Sequence, residues 1–219
     1  MSRNADVILW ARSSETVTEI NQSQRNSRYL ADLALHPNLT ATTDLGQAVK
    51  GADAVIMGVP SNSFREVLIN VVGDLKPDAP VISLTKGLER GSRLRMTQIC
   101  RELAPHHAAG VLTGPNLARE IMAGQAAASV LALDDPAASE WLQPLMNVGL
   151  FRVYTNPDTI GCELAGVFKN IIAIAVGMGD GFGAGDNTRA ALITRGLAEM
   201  TRLGTALGGR AETFAGLAG

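Results

Sequence analysis

The sequence predicts an α/β fold, a doubly wound parallel sheet that lacks its first strand and is followed by an all-helical segment. Three observations predict it. Short β-prone runs alternate with helix-capable stretches from Val7 to Thr155, a rhythm that implies right-handed crossovers between parallel strands. The run DAVIMGVP, Asp53 to Pro60, is continuously apolar and stopped by proline, as expected of a strand buried on both faces. From Thr159 onward only helical periodicity remains.

The first strand candidate is VILWAR, ending on Arg12 with two serines behind it to open a turn. In a nucleotide-binding α/β unit such a strand is the second, and a first strand with a glycine-rich turn belongs about 20 residues upstream. A polar helix from Glu15 follows, then the β-prone LTATT at Leu39, then Asp44 in N-cap position before LGQAVKGA. After the Asp53 run the order is helix SNSFREVLINVV, strand PVISLT, helix SRLRMTQICREL and strand GVLTG. Helix NLAREIMAG, strand AASVLAL, helix ASEWLQPLM and strand LFRVYT complete it. The pattern sets a domain boundary near residue 156, giving a nucleotide-binding domain over 1–155 and a helical domain over 156–219. Within the helical part the glycine-rich GMGDGFGAGD, Gly177 to Asp186, divides two long helical segments, and the chain reads as incomplete at both ends.

Composition narrows the function. With 219 residues and 46% hydrophobic residues the chain is long enough for a full domain and part of another. A net charge of -2, with no basic stripe interleaved with aromatics, argues against nucleic acid. Cys100 and Cys162 have no CxxC spacing and read as reduced thiols of a cytoplasmic protein, and His36, His106 and His107 lack a second ligand at helical spacing, so no metal is expected. The apolar run from Ile171 is shorter than the roughly 20 residues a membrane span needs, and the N-terminus lacks an apolar signal core.

Ligands of open α/β sheets bind outside the carboxyl ends of the strands, which singles out four places. Arg12 suits the 2′-phosphate of NADP, where an acidic residue would choose NAD; its plain reading is a solvated turn arginine. In VPSNSF, Phe64 either lies against a flat ring or is a buried helix-face aromatic. Lys86 in LTKGLE either anchors a phosphate or carbonyl oxygen or is an ordinary loop lysine. In TGPNLARE a Gly-Pro turn leads into a helix whose free N–H groups can face an anion. The helical part adds Lys169 and Asn170, interrupting an apolar surface of Leu164, Val167, Phe168, Ile171, Ile172 and Ala175. Partial desolvation would move Lys169 toward the range of a general base, whereas snorkelling would leave it an ordinary surface lysine. The G-x-G-x-x-A match at Gly179 follows a helix and is no dinucleotide fingerprint.

Taken in order, VILWAR, Tyr29-Leu30, VPSNSF, LTKGLE, GPNLAREI and IGCELAGVFKNIIAIAVGMGDG closely resemble the bacterial NAD(P)-dependent glycerol-3-phosphate dehydrogenases over essentially the whole chain. The resemblance implies a Rossmann-like domain and reversible hydride transfer between NAD(P)H and dihydroxyacetone phosphate, giving sn-glycerol 3-phosphate for phospholipid synthesis. It makes Lys169 the proton donor and acceptor at the substrate C2 oxygen. Lys86, Gly114 and Asn116 fall beside the substrate, and Arg12, Tyr29, Phe64, Lys86 and Ala118 at the NAD(P) cofactor, with NADPH preferred. Asn116 replaces the small hydroxyl residue often found there. The family's strand with its G-x-G-x-W-G loop, its L-G-D-L segment and its S-R-N triplet are not found, and a homodimer is expected. Two other readings stand beside this one. A β-hydroxyacid dehydrogenase or ketopantoate reductase relative would space its lysine and asparagine as K-x-x-x-N, but Lys169 and Asn170 are adjacent. A non-catalytic remnant of the fold would bind no cofactor.

Overall fold

The computed structural model describes residues 1–218. It places the strands in two sheets. The first pairs β1 (Val7–Trp10) and β2 (Leu39–Thr42) in parallel, joined through α1 (Ser14–Ser23) and the single turn α2 (Ser27–Leu30). Helix α1 starts where Ser13 accepts from the Thr16 amide. Asp44 caps α3 (Leu45–Val49) as expected, its carboxylate accepting from the Gln47 amide at 2.9 Å.

The second sheet runs in the order β3 (Val55–Met57), β4 (Val81–Ser83), β5 (Ala109–Thr113), β6 (Ala127–Leu133), β7 (Phe151–Asn156). Its connections are α4 (Ser61–Val71), α5 (Met96–Leu103), the short α6 (Ala118–Met122) and α7 (Pro136–Met146). Parallel pairing dominates, but β6 runs antiparallel to β5, which corrects the wholly parallel expectation. The physical reason lies in the connection. The helix expected over NLAREIMAG is only five residues long, and the chain returns from it to pair with β5 in the reverse direction instead of making a full crossover.

Alternation along the strands builds the core on both faces. Ala109 and Val111, on one side of β5, belong to adjoining clusters, the first filled by α4 and α5 through Phe64, Leu68, Met96 and Ile99. On the other face Ile82, Leu131 and Val153 meet Leu142 and Met146 of α7.

Beyond β7 the chain is helical: α8 (Thr159–Gly181), α9 (Asp186–Ala206) and α10 (Ala211–Phe214). Half of the glycine-rich stretch is absorbed into the end of α8, so only residues 182–185 separate the two long helices. Helix α8 also exceeds the apolar run read from Ile171. At 23 residues it is, among the described residues, long and apolar enough to cross a membrane by length and composition, a test that core helices of soluble proteins pass as well. Its first turns are buried, with Cys162, Leu164 and Ala165 packed against Val111 and Val130 of the sheet and Phe214 of α10. Ile171, expected on the apolar surface, is instead 66% exposed.

Candidate functional site

The strand ends of the second sheet converge on one cavity. After β4, Ser83 Oγ accepts from the Thr85 amide at 3.0 Å and the Thr85 hydroxyl donates to the Val59 carbonyl at 2.7 Å, which fixes the path by which Lys86 leaves the sheet. The Lys86 ammonium donates to Asn116 Oδ1 at 2.9 Å and to the Gly114 carbonyl at 3.3 Å. Gly114 ends β5 at a φ of +139°, and a Cβ there would lie 2.9 Å from Ser129 Cα, so both conformation and space require glycine.

Helix α8 supplies the opposite wall. It approaches at Gly166, where a Cβ would lie 2.9 Å from the Thr113 hydroxyl oxygen and 3.7 Å from Lys86 Cγ. One turn further on, Lys169 lines the same cavity of about 420 Å³ as Lys86, Gly114 and Asn116. Burial lowers the Lys86 pKa. Lys169 is lowered to about 8, first by burial and then by the charge of Lys86. The result is a pocket with two cationic groups, one of which exchanges its proton near neutrality. The Oδ1 of Asn116 is taken by Lys86, which leaves its NH₂ group to donate.

The structure thus brings together all four residues expected beside a substrate. Gly216 and Leu217 also line the cavity, and no local pattern of residues singles them out. The α10 turn just before them is anchored by Asp158, the buried N-cap of α8, which accepts from the Gly161 amide at 2.8 Å, the Arg210 amide at 2.8 Å and the Thr213 hydroxyl at 2.7 Å. An aspartate two residues ahead of an apolar helical run is the signal that marks this cap.

The residues assigned to a cofactor behave differently from one another. Lys86 is in the cavity. Arg12 is exposed just past the carboxyl end of β1 and forms no ion pair among the described residues, so its guanidinium is available to an anion. Tyr29 is exposed, with the Arg28 guanidinium 5.4 Å from its ring centroid. Ala118 is exposed at the start of α6. A second cavity, of about 240 Å³, is lined by Asp32 and Leu33 after α2 and by Arg119 and Glu120 of α6.

Phe64 is a correction. Its side chain is fully buried in the core beneath α4, so the flat-ring contact gives way to the helix-face reading. The spacing of Phe64, Leu68 and Val71 carried that signal. Glu163, two turns before Lys169 on α8, faces away from the cavity. Its carboxylate accepts from the Arg95 guanidinium at 2.7 Å and from the Thr97 amide at 2.9 Å. Asn170 is exposed.

Comparison with known proteins agrees with this geometry. Residues 1–139 match the family model described as the NAD-dependent glycerol-3-phosphate dehydrogenase N-terminus, and residues 158–219 match the corresponding C-terminus. The chain is 63% identical over its full length to a glycerol-3-phosphate dehydrogenase (NAD(P)+) of Sphingopyxis alaskensis, of which it covers 66%. It is 52% identical to one from Mycobacterium avium, of which it covers 64%. The chain therefore spans about two thirds of the length of these curated relatives. A crystal structure of glycerol-3-phosphate dehydrogenase from Coxiella burnetii superposes with a TM-score of 0.93 at 39% identity, over 99% of this chain and 66% of that one. With both its strand-and-helix part and its helical part matched in this way, the chain belongs to the NAD-dependent glycerol-3-phosphate dehydrogenase family.

Proposed function

We propose that the chain carries the catalytic lysine and much of the ligand site of an enzyme that interconverts dihydroxyacetone phosphate and sn-glycerol 3-phosphate with NAD(P)H. The single observation that carries this reading is the meeting of Lys169 and Lys86 across one cavity at the carboxyl ends of β4 and β5. Three parallel strands, β3, β4 and β5, present their carboxyl ends to that side of the fold. Arg12, with no anionic partner among the described residues, fits the 2′-phosphate of NADP, and Tyr29 and Ala118 are open to solvent and accessible to a dinucleotide.

When bound, the nicotinamide supplies hydride to the C2 carbonyl carbon. The chain's own residues manage the charge. Hydride addition leaves a negative oxygen at C2, and Lys169, protonated, delivers the proton that makes it a hydroxyl; in the reverse direction the neutral amine accepts it. A pKa near 8 populates both forms at neutral and mildly alkaline pH. Lys86, held by Asn116 and Gly114, is placed to attract an anionic substrate, while the free NH₂ of Asn116 donates to a substrate oxygen. The division into a nucleotide-binding unit up to residue 155 and a catalytic helical unit beyond it forms part of the same proposal. A cytoplasmic homodimer making phospholipid precursors completes it, supported by the free buried thiols and by exposed apolar residues such as Ile171 and Ile174.

The test is a nicotinamide fluorescence titration of the chain with NADPH, followed by absorbance on adding dihydroxyacetone phosphate. Saturable binding, with NADPH consumption that disappears in Lys169→Ala, is expected. No saturable signal would mean a remnant of the fold that binds no cofactor.

A further inference from the structure

The two lysines stand on separate pieces of chain, one on the loop after β4 and the other on α8. That loop runs from Leu84 to Arg95, and its far end becomes the N-cap of α5. At this end the loop is tied to α8. Arg95 Nη1 donates to Glu163 Oε2 at 2.7 Å and to the Thr97 hydroxyl oxygen at 3.0 Å, the Thr97 amide donates to Glu163 Oε1 at 2.9 Å, and the Thr97 hydroxyl completes the ring by donating to Glu163. Glu163 is buried with 4% of its side chain exposed, Arg95 is mostly covered at 12%, and Thr97 is fully buried.

Glu163 uses both carboxylate oxygens in this network, so no lone charge is left inside the protein. An ion pair of this kind adds little net stability compared with apolar side chains of similar volume, because desolvation offsets the attraction. What it does impose is a fixed geometry. Along α8 the residues Glu163, Gly166 and Lys169 recur at intervals of three: the first bonds the end of the loop, the second admits the stem of Lys86, and the third faces the cavity.

We propose that Arg95, Glu163 and Thr97 form a positioning clamp that holds the Lys86 loop against α8, so that Lys86 and Lys169 share one cavity. The inference rests on the reading of those lysines as a working pair. None of the three clamp residues lines the cavity, so they act through the lysines. Among the charged groups near α8, Lys86 is the one that registers at Lys169. Glu163 on the same helix is matched by Arg95, Arg189 of α9 is matched by Asp180 and Asp186, and Glu212 of α10 is exposed.

The experiment reads the lysines directly and needs no turnover. A short amine-to-amine cross-linker is applied to the chain, and the Lys86–Lys169 product is quantified by mass spectrometry. The pH profile of Lys169 acylation is measured in parallel. The variant Arg95→Met/Glu163→Gln removes the pair without changing net charge and is of the kind that commonly folds. It is expected to lower the cross-link yield at least threefold and to raise the Lys169 midpoint, with an unchanged circular dichroism spectrum. Arg95→Lys, which keeps a cation facing Glu163, should retain more of the yield than Arg95→Met. A folded double variant with wild-type yield and midpoint overturns the clamp. Should the double variant not fold, Thr97→Val takes its place: at least a twofold lower yield supports the proposal, and any smaller change overturns it. Failure to bind NADPH while these readouts behave as expected would count against the proposed function and leave the clamp standing.

Discussion

The Lys86 ammonium and the Asn116 side-chain carbonyl meet at 2.9 Å, so the loop after β4 and the turn after β5 are locked to one another at the mouth of the cavity. An ammonium that is partly desolvated depends on such acceptors to stay charged. Asn116→Leu removes one of its two acceptors and should lower the Lys86 pKa further, giving several-fold faster acylation of Lys86 at neutral pH. An unchanged rate would show that the Gly114 carbonyl alone suffices.

The stability of the fold should respond to pH through Lys169. Its pKa in the folded chain, about 8, lies below the roughly 10.4 of an unfolded lysine. Below pH 8 the folded state bears the full cost of a partly buried ammonium. As pH rises through 8 the folded lysine releases its proton before the unfolded one does, and stability increases until the unfolded pKa is passed. Denaturant midpoints for the wild type should therefore rise between about pH 8 and 10 relative to Lys169→Met, which removes this contribution. Parallel curves for the two proteins would contradict the assignment.

Gly114→Ala should be destabilising by about 1 to 3 kcal/mol, from backbone strain at positive φ alone. The new Cβ would also approach the Ala128 carbonyl oxygen to 3.0 Å, and backbone cannot swing aside. Thermal melting reports the loss. Lys86 acylation should change with it, because Gly114 carries one of the Lys86 acceptors.

On the proposed function, Arg12 is the residue that would choose the nucleotide. A bidentate guanidinium–phosphate contact is worth about 1.5 to 3 kcal/mol, and each 1.4 kcal/mol is tenfold in affinity. Fluorescence titrations should give a preference for NADPH over NADH of roughly tenfold or more, collapsing in Arg12→Ala. Equal affinities in the wild type would refute the assignment.

Both thiols should be inert in the native chain. Burial raises Cys100 and Cys162 to about 12, with nearby carboxylates adding to the effect, and the thiolate is the reactive species. A disulfide reagent at pH 8 should modify neither cysteine until denaturant is added. Rapid stoichiometric labelling of the folded protein would place one of them at the surface.

Much of this was legible in the residues, and the gaps have physical causes. The strands of Asp53–Pro60 and GVLTG could be read because burial on both faces leaves an uninterrupted apolar run. The direction of β6 could not, because AASVLAL has the same composition whichever way it pairs, and only the short α6 decides it. Lys86 and Lys169 were visible as polar residues at a strand end and on an apolar helix, yet their meeting depends on a tertiary approach at Gly166. The role of Glu163 is hidden for the same reason: its partner Arg95 lies 68 residues away, beyond any local period.

Helix α8 is built like a beam fixed in a wall. Its residues from Gly161 to Gly166 are buried, while Ile171, Ile174 and Met178 stand in the open, each more than half exposed. Lys169 comes three residues past the last buried position, roughly 4.5 Å along the axis, whereas the far end at Gly181 lies roughly 22 Å out. That outer length is propped by α9, where Gly196 leaves room for Ile172 and Arg189 pairs with Asp180 at 2.8 Å. Lys169 thus sits where support passes from the sheet to α9, held on both sides of its position beside Lys86.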